Sequence, residues 1–259
     1  MKKILFFLGV SIVVVLFSSC KPQPIQPDGI LKDVDGNKYN TVKIGNQVWM
    51  SQDLQVKHLP NGIALQGFEI RQSEPAFIEY GGKMLYNAMA AQYGADSGDV
   101  RVQGLCPNGW HLPSHAEWQQ LINYVNAHPE LWDTSGTVSR ALASQQWSSS
   151  AEAANFNQTG FSALSTGYFI SYGRHTEVFD QRWAQNGNAY FWCADHNGDF
   201  PVTITDTAQS PWTFPSWGWF GSDSLEVQSY VLLLNPNQDS PEISSLPDIH
   251  YCAIRCVKD

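Results

Sequence analysis

The sequence predicts an α+β domain with two helices, small antiparallel sheets and long loops. Three observations lead to this class. One segment near the middle is a strongly amphipathic helix, short segments with alternating apolar and polar residues are bounded by turn residues, and stretches rich in proline and aromatic residues separate the later predicted strands. No repeat and no second linker divides the chain, so we expect one large domain over residues 30–259.

Residues 1–19 have the features of a lipoprotein signal peptide. Two lysines, an apolar stretch and a pair of serines lead directly to Cys20. The apolar stretch is shorter than the ~20 residues of a membrane span, which makes a permanent anchor helix the weaker alternative. We therefore expect Cys20 to carry acyl chains that tether the protein to a membrane.

Residues 20–29 contain three prolines and predict a stiff, extended linker behind the lipid anchor. The whole chain has a net charge of −9 and no run of basic residues, so nucleic acid is not an expected partner. Aromatic residues make up 13% of the chain, enough to build a core and still leave rings for the surface.

The first strands are predicted in residues 33–54. Apolar residues alternate with polar ones on either side of turns at 35–36 and 45–46, as in half-buried hairpins. The sequence DVDGN also resembles the start of a calcium-binding loop. The twelfth position of that loop would be Ile44 instead of glutamate, which favours a simple turn.

The clearest helix is predicted over residues 114–127. Ser114 and Glu117 have the spacing of a capping box, and four apolar residues then fall on one face. A second, weaker helix is expected over residues 137–146. The expected later strands cover residues 160–163, 189–194, 230–234 and 250–257.

The stretch LCPNGWHLPSHAEWQQL, residues 105–121, combines Cys106, His111, His115 and Glu117. A metal site is disfavoured because the helix starts between the two histidines, and the H-E-x-x-H order is absent. A catalytic thiol would need a base and a lowered pKa. We expect an architectural latch here.

Four cysteines remain after Cys20, an even number that suggests two disulfides with three connectivities in an exported protein. They contain no C-x-x-C pair, so zinc is not expected. The four are Cys106, Cys193, Cys252 and Cys256.

Five sequence blocks resemble the Fibrobacter succinogenes major paralogous domain family, in the order of that family. They are DVDGNKYNTVKIGNQVWMSQDL, CPNGWHLPSHAEW, NFNQTGFSALSTGYF, AYFWCADHN and YCAIRCVKD. The resemblance implies a secreted or lipid-anchored bacterial protein of a kind common in Bacteroidetes. We therefore expect a location in the cell envelope, at the outer membrane.

The family is similar to C-type lectin-like domains, in which a disulfide joins the first helix region to the last strand. This resemblance implies the disulfide Cys106–Cys256. The family usually has a hydroxyl residue at the position of Cys193 and no cysteine at that of Cys252. The two departures together suggest a second disulfide, Cys193–Cys252.

The segment PWTFPSWGWF, residues 211–220, is the expected binding site. Prolines argue against a regular element, and five aromatic rings in ten residues are hard to bury from a loop. Exposed rings suit stacking on sugars or anchoring a protein partner, whereas the alternative is that they cap the core of an insertion. The residues expected to bind are Trp212, Phe214, Trp217 and Trp219.

Enzyme motifs are absent from the sequence, and no catalytic residue is assigned. It has no G-x-S-x-G elbow, phosphate-binding loop or dinucleotide fingerprint. No cofactor is expected; Ca²⁺ is the alternative, although the Trp-Asn-Asp motif of calcium-dependent lectins is missing.

The expected function is non-catalytic binding of a glycan or surface protein. The alternatives are a polysaccharide hydrolase with carboxylates such as Glu69 and Glu79, or an adhesive subunit without a small ligand.

Overall fold

The structure is a computed structural model. It describes residues 27–65, 75–95, 101–132, 136–147, 156–170, 182–184, 187–197, 205–207, 210–213, 228–247 and 250–259. Within these ranges, none of the helices has the length and apolar character needed to span a membrane.

The described residues contain three α-helices and fifteen β-strands. The helices are α1 (Ala88–Ala91), α2 (His115–Ala127) and α3 (Val138–Leu142). The strands are β1 (Pro27–Lys32), β2 (Lys38–Ile44), β3 (Gln47–Met50), β4 (Phe77–Tyr80), β5 (Lys83–Asn87), β6 (Trp110–His111), β7 (Tyr168–Ile170), β8 (Arg182–Ala184), β9 (Ala189–Asn197), β10 (Thr205–Thr207), β11 (Ser210–Thr213), β12 (Gln228–Leu234), β13 (Glu242–Pro247), β14 (His250–Cys252) and β15 (Val257–Lys258). The α+β class is therefore confirmed, with strands predominating.

The strands form four antiparallel sheets in this part of the chain. Two sheets have five strands, ordered β1-β2-β3-β15-β6 and β4-β5-β14-β7-β8; the others are β13-β12-β9 and β10-β11. Residues 250–258 supply an interior strand to both five-stranded sheets, because β14 lies between β5 and β7 while β15 lies between β3 and β6. One short segment thus holds the sheets together.

The predicted first hairpin is confirmed. β2 and β3 pair with Ile44 opposite Gln47, across a turn at Gly45. Gly45 has φ of +61°, and a Cβ there would lie 2.7 Å from the ring of Tyr124. The turn therefore requires glycine both for its backbone conformation and for the close approach of α2.

Both predicted helices are present. Ser114 caps α2, with the reciprocal Glu117 contact of a capping box, and α3 is shorter than expected because it ends at Leu142 and a 3₁₀ turn follows at Gln145–Trp147. The helix α1 was not predicted.

Two strand predictions need correction. Residues 160–163 form a turn with Ser162 at φ of +58°, and only Ala163 makes a bridge, to Ala143. The predicted strand over 250–257 is interrupted and forms β14 and β15. In neither segment does the backbone pair with one continuous strand: Ala163 bonds to Leu142 and Ser144, and β14 and β15 pair with strands of two different sheets.

The core has two parts separated by β9. One, the α2 cluster, contains Trp49, Trp118, Phe161 and Phe191, and the rings of Trp49 and Trp118 stack at 4.6 Å. The other, the disulfide cluster, contains Met50, Leu54, Cys106 and Trp192. Alternation along β9 sends Phe191 to the first cluster and Trp192 to the second.

A fully buried arginine lies where the core meets residues 250–258. Nε of Arg255 donates to Oδ1 of Asp53 at 3.1 Å, and Nη1 donates to the Met50 carbonyl at 3.2 Å. The guanidinium also lies 4.5 Å from the ring centre of Phe161 and 5.3 Å from that of Phe191. Burial lowers the pKa of Arg255, and the charge of Asp53 opposes that change.

We expect Asp53→Ala to lower the free energy of unfolding by about 3–5 kcal/mol, because it leaves the Arg255 charge buried without its carboxylate. Urea unfolding of the variant measures this loss. Glu79→Ala is the matched control, since it breaks the exposed ion pair with Lys57 and should cost less than about 1 kcal/mol. Equal stability of the two variants would contradict the role assigned to Asp53.

Candidate functional site

The disulfide Cys106–Cys256 is present, as predicted. It joins the loop before β6 to the residue before β15, with the two Cα atoms 5.9 Å apart and a sequence separation of 150. Both cysteines are completely buried. The bridge therefore locks residues 250–258 to the start of the α2 region.

His111 lies beside this bridge and contacts two carboxylates. Its Nδ1 is 2.7 Å from Oδ1 of Asp259, and its Nε2 is 2.8 Å from Oε1 of Glu117. The other oxygen of Glu117 accepts from the Ser114 backbone at 2.9 Å. The histidine side chain is only 3% exposed, whereas the side chains of Asp259 and Glu117 are partly exposed, so these contacts join β6, α2 and Asp259 at the edge of the core.

The two carboxylates determine the charge of His111. Burial by itself lowers the pKa of His111, but the hydrogen bonds and charges of Glu117 and Asp259 outweigh burial, so the pKa is raised. Burial would raise the pKa of Glu117, and its bonds with His111 and Ser114 lower it instead. With both ring nitrogens bound to carboxylates, His111 is a structural contact between β6, α2 and Asp259.

His115 lies apart from His111, as the predicted helix start requires. Its side chain is exposed, its backbone N–H donates to the Asp195 carboxylate, and its ring lies 5.7 Å from that of Tyr230. Among the residues that the structure describes, no group of three or more His, Cys, Asp or Glu side chains is placed to hold a metal ion. Residues 105–121 thus form a latch.

The predicted second disulfide is corrected by the structure, in which Cys193 and Cys252 are buried free thiols. Phe191 pairs with Ala253 in a parallel bridge, and successive side chains of a strand alternate between its two faces. Cys193 therefore lies on the same face as Ala253, whereas Cys252 lies on the opposite face. Cys193 packs in the α2 cluster and Cys252 in the disulfide cluster. Burial raises the pKa of both thiols, which keeps them protonated at neutral pH.

The expected binding segment, residues 211–220, belongs to a long excursion from one sheet. β9 and β12 are antiparallel neighbours with Asn197 opposite Gln228, so residues 198–227 leave and return at the same end of the β13-β12-β9 sheet. Within the excursion, β10 and β11 form a hairpin, and the backbone of Trp212 is in β11. Phe214, Trp217 and Trp219 lie outside the described residues.

The base of this excursion is anchored on the core. The indole of Trp192 in β9 donates to the Tyr86 carbonyl at 2.7 Å, and the Gln92 amide donates to the Cys193 carbonyl at 2.9 Å. Asp195 in the same strand accepts from the start of α2. The excursion over residues 198–227 therefore starts from a strand that is hydrogen-bonded to the core.

The remaining residues named in the sequence analysis do not lie together in the structure. Cys20 and Glu69 lie outside the described residues, and Glu79 pairs with Lys57 at 2.9 Å on the surface. In the DVDGN segment, Asp33 accepts from the Asn37 backbone at 2.9 Å and from Tyr39 at 2.6 Å. These bonds support the predicted turn between β1 and β2.

Residues 42–258 match the family model of the Fibrobacter succinogenes major domain, and the chain belongs to this family. No curated protein and no solved structure matches the chain. The family assignment made from the sequence blocks is therefore confirmed.

Removal of the latch disulfide should lower the free energy of unfolding by about 5 kcal/mol, because it releases a constraint on a loop of this length. We expect the double variant Cys106→Ala/Cys256→Ala to be destabilised and insensitive to dithiothreitol in urea unfolding. The matched double variant Cys193→Ala/Cys252→Ala should stay sensitive to dithiothreitol. Loss of that sensitivity in the control would show that the bridge involves the other two thiols.

The His111 contacts should make stability depend on pH on both sides of neutrality. The raised pKa of His111 stabilises the folded state below its unfolded value near 6.5, and this contribution is lost as pH rises through the folded pKa. The lowered pKa of Glu117 stabilises above 4.5 and is lost as pH falls through the folded pKa. Thermal unfolding from about pH 2 to about pH 9 measures both losses.

In the variant His111→Gln, stability should no longer fall as pH rises through the range in which His111 loses its proton. His128→Gln is a matched control, because the His128 ring contacts the Tyr124 carbonyl instead of a carboxylate. If the stability of His111→Gln fell with rising pH as much as that of the wild type, the effect would belong to another group.

Proposed function

We propose that this protein is a lipid-anchored, non-catalytic binding module of the bacterial cell envelope that recognises a glycan or a surface protein. The observation that carries the proposal is the placement of the aromatic segment 211–220 in an excursion between adjacent strands of one sheet. Aromatic rings on such a segment can stack on sugar faces or fill pockets of a protein partner.

A C-type-lectin-like fold is the finer architecture that we propose for the domain. Two features support it: a disulfide between the region that starts α2 and the residue before β15, and a long excursion that precedes β12. The binding loops of such folds lie in this part of the chain. The coarser α+β architecture is independent of this assignment.

Membrane attachment through Cys20 is part of the proposal. Six residues separate Cys20 from the start of β1, and three prolines lie between Cys20 and Gly29. At about 3.1 Å per residue, an extended proline-rich spacer of this length reaches roughly 20 Å. The domain would therefore work close to the membrane that carries it, which we propose to be the outer membrane.

A non-catalytic role is favoured by the use of the reactive side chains. His111 and Glu117 contact each other in the latch, and Asp53 is bound to Arg255. Each of these groups stabilises packing between elements of the core. We propose no cofactor and no metal for the binding function.

The aromatic segment can be tested with a glycan array. A Cys20→Ala protein, which cannot be lipidated, should bind a glycan that Trp217→Ala and Trp219→Ala variants bind at least about tenfold more weakly. Tyr80→Ala is the control, because Tyr80 is an exposed ring on β4, a strand of a different sheet. Circular dichroism verifies that each variant is folded.

Unchanged binding by the tryptophan variants would reject the aromatic segment as the site. Release of products from a polysaccharide panel would instead support a hydrolase. Capture of one envelope protein without any glycan hit would support an adhesive subunit.

A further inference from the structure

A small cavity lies away from the latch, between the β4–β5 hairpin, the 3₁₀ turn that follows α3 and the loop before β7. Its volume is about 110 Å³. Its lining combines one cation, one indole, an amide, two serines and an apolar side chain: Lys83, Trp147, Gln146, Ser144, Ser165 and Leu164.

Lys83 brings a partly buried positive charge to this cavity. Its Nζ donates to the Ser165 carbonyl oxygen, and burial lowers the pKa of the lysine while the more distant charge of Asp53 opposes that change. Within the described ranges of the chain, no carboxylate lies within ion-pair distance of Nζ. The ammonium therefore has hydrogens left for an anion and has no counter-ion among the described residues.

A second donor accompanies this lysine. The Ser144 hydroxyl accepts from the Gln146 backbone at 3.3 Å, which leaves its hydrogen free to donate. The indole N–H of Trp147 is buried away from the cavity, so this residue offers a ligand the surface of its ring and not a hydrogen bond.

The donor set indicates the chemistry of the ligand. An ammonium and a hydroxyl match a carboxylate, whose two oxygens accept several hydrogen bonds and carry the opposite charge. The volume exceeds the ~30 Å³ of one water molecule and is smaller than the ~300 Å³ of typical ligand pockets. A carboxylate and the few atoms next to it would fit, with the rest of the molecule outside.

We propose that this cavity binds the carboxylate of an acidic sugar. The carboxylate follows from the lining of the cavity, whereas the choice of a sugar rests on the proposed glycan-binding function. The ring of Trp147 and the side chain of Leu164 provide apolar surface for the carbon atoms of the sugar. The cavity would then act as a second subsite, separate from residues 211–220, that selects anionic glycans.

Titration of sodium D-glucuronate into the ¹⁵N-labelled Cys20→Ala protein tests the site. The indole N–H signal of Trp147, assigned by its loss in Trp147→Phe, should shift saturably with D-glucuronate and stay unchanged with D-glucose. Lys83→Met should weaken binding at least about tenfold because it removes the charged donor. Lys83→Arg should retain more of the affinity, and Lys57→Met, which removes an exposed lysine, should retain all of it.

Absence of a saturable shift, or equal affinity in the wild type and Lys83→Met, would overturn the proposal. Acetate binding as tightly as D-glucuronate would overturn the sugar assignment, and tighter binding of N-acetylglycinate would assign the cavity to the carboxylate of a peptide. The Trp147 signal reports binding in the cavity, whereas the Trp217→Ala variant reports binding by the aromatic segment. A negative result in one experiment therefore leaves the other proposal open to its own test.

Discussion

The buried contact between Arg255 and Asp53 is the constraint on which the arrangement of the domain depends. A guanidinium removed from water requires both an opposite charge and acceptors for its hydrogens, and the structure supplies these from Asp53 and from carbonyls of Met50 and Phe161. Because these groups belong to different segments, satisfying one side chain places the first hairpin, the loop after α3 and residues 250–258 against each other. The neighbouring disulfide links the same residues 250–258 covalently to the loop before β6.

This architecture also determines what supports the segment for which we propose a binding role. The stretch 105–121 contains the histidines and acidic residue that would suit chemistry, but His111 and Glu117 are occupied by one another inside the protein. The β13-β12-β9 sheet, by contrast, is held by the core at its base and carries a 30-residue excursion at one end. Binding residues are often carried by segments that a rigid scaffold positions, which is the reason for the binding role that we propose for this excursion.

The sequence predicted those elements that depend on local signals. The capping box of Ser114 and Glu117 and the turn at Gly45 have short-range causes, and the structure contains both. The pairing of Cys193 with Cys252 depended on how two distant segments align, and one residue of register decides which face a side chain occupies. The expected strand at 160–163 is a turn because its backbone groups bond to α3 and its loop.

Periodicity and capping residues were sufficient to predict the α+β class and the two longer helices, and the resemblance of five sequence blocks predicted the family and its latch disulfide. They could not show that Arg255 is buried, because nothing near this residue in the sequence identifies the carboxylate with which it pairs. Nor could they bring Lys83 next to Trp147, which lies 64 residues further along the chain. Such juxtapositions arise only when separate segments pack together, and the tertiary structure alone decides which polar groups are paired inside it and which remain available to a ligand.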